Sequence, residues 1–404
     1  MHASRAAAAG RTASPATARR INDRLALQLL QSEGPLTAGQ LKSLTGLSRP
    51  TVSDLVERLQ TDGLIAVVGE SGAQRRGPNA RLYGIVADRA HLVGLDLRTR
   101  SATVAVADLL GRVRAERAVP LGPDGPPGNP VAAVLAALDE ALDAAGAGRP
   151  HTVAIGAPGL IDPATGRTGG DWNPPWHAAL VGELHDRTPG SVLLENEVNL
   201  AAVAEQRAGA AHDRDTFVLL WLGHGTGAAV VLDGALRRGA SGGTGEIGFL
   251  PVPGTAGLPS ARGCDGGFHS LAGSAAICAL AADHGLTARE PAEASDGDAP
   301  PAEALVRDAV ATGATPFLDA LAARIALGVA AVCAVLDPGC VVLGGEIGRA
   351  GGDALAERVA GHLARLSPLR TEVRAGTVGG RAVLRGAVLA ARDAAQNDLF
   401  SPGS

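Results

Sequence analysis

The chain has 404 residues, 46% hydrophobic and 19% charged, with a formal net charge of -5, which suits a soluble globular protein of two or three domains. No apolar run reads as long enough to cross a bilayer, and Met1 to Ala18 lacks the apolar stretch of a secretory signal, so a cytoplasmic protein with no membrane partner is expected. Residues 1–86 carry 11 basic and 6 acidic side chains and the remainder 25 and 35, an asymmetry expected when one module meets a polyanion.

Residues 1–18 form a low-complexity tail, and a helix is predicted from about Arg19 to Ser32 with Ile21, Leu25, Leu29 and Leu30 turned inward. Thr37 and Gln40 make a capping box, and Ser48 is a second N-cap with Pro50 in the turn it opens. Thr37 to Leu64 is therefore two short helices hinged at Gly46, a helix-turn-helix. Leu41, Leu44 and Leu47 are expected inside, as are Val52, Leu55, Val56 and Leu59 at helical spacing. That leaves Arg49, Pro50, Thr51, Ser53 and Arg58 at the exposed front of the second helix. Arginine donates to guanine edges or phosphates and hydroxyls pair with either, so this face suits a major groove. After Gly63, strands over Leu64–Val68 and Ala80–Ile85 flank a polar tip holding Arg75, Arg76 and Gly77. Such a wing reaches phosphates or a narrow minor groove, and residues 19–86 are expected to bind double-stranded DNA.

A different pattern follows. His91–Leu97, Ser101–Ala107 and Val113–Val119 read as strands, Val131–Ala145 as a helix and Thr152–Gly156 as a buried strand. That order opens a ribonuclease-H-like unit of the actin-type fold. A second copy begins at Thr216–Leu222, continues through Gly227–Leu232 and Ala235–Arg237, and ends with helices after Gly273 and Phe317. The expected fold class is α/β, a winged helix-turn-helix followed by two lobes, 87–211 and 212–395, with a cleft between them. Thr287 to Glu303 reads as an acidic surface insertion, and residues 396–404 as a frayed end.

The motifs Ala157-Pro-Gly-Leu-Ile-Asp-Pro163, Asn173-Pro-Pro-Trp176, Glu195-Asn-Glu-Val-Asn199, Gly223-His-Gly-Thr-Gly227, Gly245-Glu-Ile-Gly248 and Leu336 through Gly345 give the chain a specific character. Over nearly its whole length it resembles the ROK family, bacterial sugar kinases and sugar-responsive repressors. The winged helix is what the repressor branch carries and the kinase branch lacks.

The resemblance implies a sugar site at Gly159, Asn196, Glu197 and Glu246. Asn196 and Asn199 read equally well as caps of an Ala-rich helix. Catalysis is not expected. Where the kinases have a Gly-Gly-Thr turn for ATP phosphates, Asp96 is followed by Leu97-Arg-Thr-Arg-Ser101, whose side chains obstruct the cradle. Glu197 stands where the kinases have an aspartate base, one methylene too long for near-attack placement, and is read as a degenerate base position. The family's zinc needs a histidine where Phe249 stands and a cysteine cluster of which Cys264 remains, so no metal and no cofactor are expected. Cys278, Cys333 and Cys340 show no metal or disulfide spacing and read as core residues.

These features lead to a transcriptional regulator, expected as a repressor of carbohydrate-use genes. A homodimer, or dimer of dimers, would bind a two-fold operator, and a sugar or sugar phosphate in the cleft would modulate it. Glu197 resembles xylose-sensing repressors more than those sensing aminosugar phosphates. An ATP-dependent sugar kinase with an added DNA-binding domain and a ligand-independent regulator are the alternatives.

Overall fold

The computed structural model describes residues 15–71, 80–121, 128–162, 165, 168–169, 174–260, 263–287 and 299–400. Its contacts define two units, one running to His91 with 108–112 and the chain from Arg392, the other comprising Leu92–Ala107 and Val113–Ala391.

In the first unit, α1 (Pro15–Ser32), β1 (Leu36–Thr37), α2 (Ala38–Thr45), α3 (Arg49–Thr61), β2 (Ile65–Ser71) and β3 (Ala80–Ile85) form three helices and a sheet of order β1-β3-β2. The capping box is present, with Thr37 Oγ1 accepting from Gln40 N at 3.2 Å and Gln40 Oε1 accepting from Thr37 N at 2.9 Å. Gly46 ends α2 at φ 70°, a left-handed turn that a side chain would strain, and Ser48 Oγ then accepts from Thr51 N to open α3. Leu41, Val52, Leu55, Val56 and Leu59 fill the core as expected. Leu44 does not: it is 52% exposed, as are Ile21 at 58% and Leu25 at 37%, because α1 and α2 bury narrower stripes than their leucine spacing suggests. Residues 396–400 are not frayed, since Asn397 accepts from Arg24, Gln396 donates to Gln31 and to the Leu109 carbonyl, and Phe400 is buried, while 401–404 lie outside the described residues.

The second unit repeats one sheet plan twice. Its first half contains β4 (His91–Leu97), β5 (Ser101–Asp108), β6 (Val113–Pro120), α4 (Pro130–Ala144), β7 (Thr152–Ala157), the short pair β8 (Leu160–Ile161) and β9 (Thr168–Gly169), α5 (Pro175–Arg187), β10 (Val192–Asn196) and α6 (Glu197–Ala208). Its second half contains β11 (Phe217–Leu222), β12 (Thr226–Leu232), β13 (Ala235–Arg237), α7 (His269–Ala272), α8 (Ser274–Asp283), α9 (Pro301–Thr312), α10 (Thr315–Leu336), β14 (Cys340–Gly344), α11 (Gly345–Leu366), β15 (Glu372–Ala375) and, as far as Ala391, α12 (Ala382–Leu399). The sheet orders are β10-β7-β4-β5-β6 and β13-β12-β11-β14-β15, an internal duplication in which β4 with β7 and β11 with β14 are parallel. Parallel strands direct their carboxyl ends the same way, which gathers the loops after them at one end of each sheet.

Two expectations need correction. The insertion stops short of Glu303, because Pro301-Ala-Glu303 already forms the first turn of α9, with Ala302 and Glu303 buried. One apolar run does reach bilayer length: α10 spans 22 residues, but half of its most apolar window is buried inside the second unit, where Leu321, Ile325 and Val329 are fully enclosed. Its apolarity is that of a core helix.

Glu205 of α6 is 3% exposed and accepts from the backbone N–H groups of Ala210, Thr377 and Val378 at 2.7, 3.2 and 2.9 Å. It ties the loop after β15 to α6. Glu205→Ala removes the one acceptor shared by three backbone N–H groups, two of them half-buried, and should cost about 1–2 kcal/mol, read as the shift in urea midpoint; a loss within about 0.5 kcal/mol would contradict the clamp.

Candidate functional site

Two surfaces carry the predicted residues. On α3, Arg49, Pro50 and Ser53 are exposed, while Thr51 is half-buried with its hydroxyl 2.8 Å from Ser48 Oγ. Arg58 is turned away from that exposed face. Its guanidinium donates to Asp23 Oδ1 of α1 at 2.6 Å, and Asp23 is 8% exposed, so the pair fastens α3 to α1. Helical spacing placed Arg58 on the polar side but could not show that a buried acid 35 residues away would claim it. Arg75, Arg76 and Gly77 lie outside the described residues.

The second surface is the cleft of the second unit, where loops follow the carboxyl ends of β4, β7, β10, β11 and β14. The Asn196 side chain caps α6, its Oδ1 accepting from Val198 N at 2.9 Å and Asn199 N at 3.3 Å. Its Nδ2 donates to the Gly159 carbonyl at 3.0 Å and to Glu197 Oε2 at 2.9 Å. The cap and the site are thus one side chain, and Gly159, Asn196 and Glu197 are brought together. Glu195 sits behind them, accepting from Asn199 Nδ2 at 2.9 Å and from Arg238 at 2.6 Å.

Burial pushes the Glu197 carboxyl up to about 8, its own backbone N–H opposes this, and Asp96 and Glu246 add to the rise against Arg98. At neutral pH Glu197 carries its proton, which suits a hydrogen-bond donor rather than a base. Glu246, at the cleft margin, is also raised by desolvation. Its charge adds to the rise at Glu197.

Arg98 occupies the turn where the phosphate cradle would form. It donates to Asp96 Oδ2 at 3.2 Å and to Glu346 Oε1, in the first turn of α11, at 2.5 Å. Burial works against its charge, but the two carboxylates outweigh this and its pKa is raised. This is a bridge between the two halves of the unit. The adjoining cavity, walled by Arg98, Trp221, Gly344, Gly345, Arg349 and Gly376, measures ≈ 30 Å³, room for about one or two waters. Small-molecule pockets run to roughly 300–1,000 Å³. Nearby, His177 is 2% exposed and edge-on to Trp176, and burial lowers its pKa to about 4 against the pull of the Arg98 backbone. Glu205, His177 and Glu346 were missed from sequence, since only the closed fold brings them to the Arg98 turn or its cavity.

The ROK family model matches residues 92–394. The chain belongs to the ROK family. A MarR family model matches residues 21–77, which include the helix-turn-helix and β2. The DNA-binding transcriptional dual regulator NagC of Escherichia coli (strain K12) is 27% identical over 241 residues, covering 58% of this chain and 58% of NagC. The chain thus spans under two thirds of that relative's length. Among solved structures, a ROK family transcriptional regulator, a homologue of the E. coli MLC protein, aligns at TM-score 0.72 and 23% identity over 96% of this chain and 100% of that one, establishing the fold. A ROK family glucokinase from Streptomyces griseus, solved with glucose and AMPPNP, aligns at TM-score 0.58 and 25% identity over 75% and 99%.

The zinc of other ROK proteins does not fit the residues found here. Phe268, within the stretch that would supply cysteines, is fully buried with its ring against Gly328 of α10, where a β-carbon would come within 2.5 Å of it. An apolar ring holds the loop where a metal would, and among the described residues no group of three His, Cys, Asp or Glu side chains is placed to hold an ion.

The raised Glu197 pKa has a consequence for stability. Between its ordinary value of 4.5 and about 8 the native state holds the proton that the unfolded chain releases, so stability present below pH 4.5 is lost as pH rises through 8. Glu197→Gln cannot ionise and should be the more stable form by roughly 2 kcal/mol at alkaline pH, with the gap closing towards pH 5. Urea unfolding of both proteins across that range tests it; parallel pH profiles would contradict the assignment.

Proposed function

We propose that this ROK protein is a DNA-binding transcriptional regulator, a repressor of carbohydrate-use genes, whose second unit senses a sugar without phosphorylating it. One observation carries the reading: in a chain that opens with a helix-turn-helix, Arg98 fills the turn that a kinase would keep bare for ATP, and two carboxylates hold it there. Phosphoryl transfer is almost wholly positioning and charge stabilisation around the phosphates. A neutral Glu197 is a poor general base, which speaks against phosphoryl transfer. Gly159, Asn196, Glu197 and Glu246 remain to bind sugar hydroxyls.

DNA recognition is assigned to Arg49, Pro50, Thr51 and Ser53 at the front of α3, with Arg75, Arg76 and Gly77 of the wing. A homodimer or dimer of dimers in the cytoplasm would place two such helices on a two-fold operator, and an effector binding one state better than the other shifts operator affinity by linkage. The glucokinase relatives keep the kinase reading as the competitor, and ATP consumption with a panel of monosaccharides separates the two. No turnover above a Glu197→Ala control is expected.

The docking surface has its own test. Arg49→Ala should weaken operator binding about tenfold or more and lower the salt slope by about one, with unfolding unchanged. Arg58→Ala should instead destabilise by about 1–3 kcal/mol, because it leaves Asp23 buried without its partner. Operator titrations at several salt concentrations, with thermal melts alongside, decide it: unchanged affinity in Arg49→Ala would overturn the docking.

A further inference from the structure

Resting on the sensor reading above, we propose that Arg238 is a positioning residue: its ion pair with Glu195 fastens a glycine-hinged strap, residues 238–245, against the Asn196–Gly159 corner, so that closing the strap and setting Glu246 in place are one event.

The strap follows β13 and closes on itself, Thr244 N donating to the Arg238 carbonyl at 3.2 Å. Gly239, Gly242 and Gly245 hold φ of 78°, 78° and 93°, values that a side chain resists. Two of them also lie against backbone. A β-carbon on Gly242 would come within 1.9 Å of the Ile161 carbonyl oxygen in β8, and one on Gly245 within 1.8 Å of the Ala228 carbonyl oxygen in β12. The strap thus rests on β12 of its own half and touches β8 of the other.

Glu195 supplies the second anchorage. Its Oε2 accepts from Arg238 Nε at 2.6 Å, while its Oε1 accepts from Asn196 N at 3.1 Å and from Asn199 Nδ2 at 2.9 Å. Asn196 in turn donates to the carbonyl of Gly159, the residue just before β8. The two points the strap touches, Glu195 and Ile161, therefore flank the hydrogen bond that joins Asn196 to Gly159. Glu246 leaves the strap directly, its N–H donating to the Gly243 carbonyl at 3.3 Å, so its place depends on where the strap rests. The Arg238 side chain is 50% exposed and that of Glu195 12%. When the pair opens, the arginine returns to water, which a fully buried partner could not do. Such a fastening holds the strap and still lets it open.

Hydrogen exchange on the full chain, with no ligand added, tests the fastening. In Arg238→Ala the amides of Thr244, Glu246 and Ile247 should exchange about tenfold faster, while β11 and α10 keep their protection. Gly242→Ala, which drives a β-carbon against the Ile161 carbonyl and spares both charged side chains, should free the same amides. Arg238→Lys should restore most of the protection, and added salt should speed these amides in the wild-type chain. Exchange in Arg238→Ala within about twofold of wild type overturns the fastening. Faster exchange that neither lysine rescues nor salt reproduces overturns it too, because Arg238 would then act by packing. Calorimetry with glucose, xylose and N-acetylglucosamine reads the positioning: a sugar bound by the wild-type chain should bind Arg238→Ala about tenfold more weakly, the closed form being less populated. Equal affinity overturns the positioning role and leaves the sensor reading standing. If the wild-type chain binds none of the three, the sensor reading falls and the positioning role falls with it.

Discussion

Arg98 sits between Asp96 at the end of β4 and Glu346 in the first turn of α11, and the second unit's behaviour depends on that three-way contact. The two carboxylates are largely withdrawn from water and need a cation close by. A side chain of the protein supplies it. The halves of the duplicated fold are thereby joined by a covalently attached charge, and the turn that a phosphate-binding loop would leave open is occupied.

Several features of the cleft follow from this contact. With Arg98 engaged, the nearby Glu197 gains little from its positive charge, and burial with Asp96 and Glu246 keeps the Glu197 proton in place. A carboxylic acid in that state is a poor base and a good hydrogen-bond donor. Glu205 holds the loop carrying Gly376 against α6, and the wall of the residual cavity is set by that clamp. Phe268 packs its loop against Gly328 of α10, which makes this part of the structure an apolar packing problem.

The first unit works on a different principle. Its geometry is set by caps: Thr37 with Gln40, Gly46 at positive φ, and Ser48 together fix the angle at which α3 leaves α2. The Asp23–Arg58 pair then holds α3 to α1, leaving Arg49 and Ser53 exposed at the front of the helix. An arginine at each end of one short helix thus serves two different ends, one packing and one surface.

Local chemistry was legible in the sequence. Capping boxes, hinge glycines and strand alternation involve residues two to four apart, and such features were read correctly: the helix-turn-helix, the run of strands from His91, and the capping by Asn196. Family motifs pointed to Gly159, Asn196, Glu197 and Glu246, and hydrogen bonds bring the first three of these together. What the sequence could not determine were pairings across long separations and the depth of each helix's buried stripe. Arg98 finds Glu346 248 residues away and Arg58 finds Asp23 35 away, while Ile21, Leu25 and Leu44 stay exposed despite helical spacing. The apolar length of α10 became a core helix only because a sheet and its neighbouring helices enclose it. Sequence fixes what a residue can donate, accept or bury; which partner it meets, and so whether an arginine reads DNA, clamps a helix or closes a cleft, is decided only when the chain is folded around it.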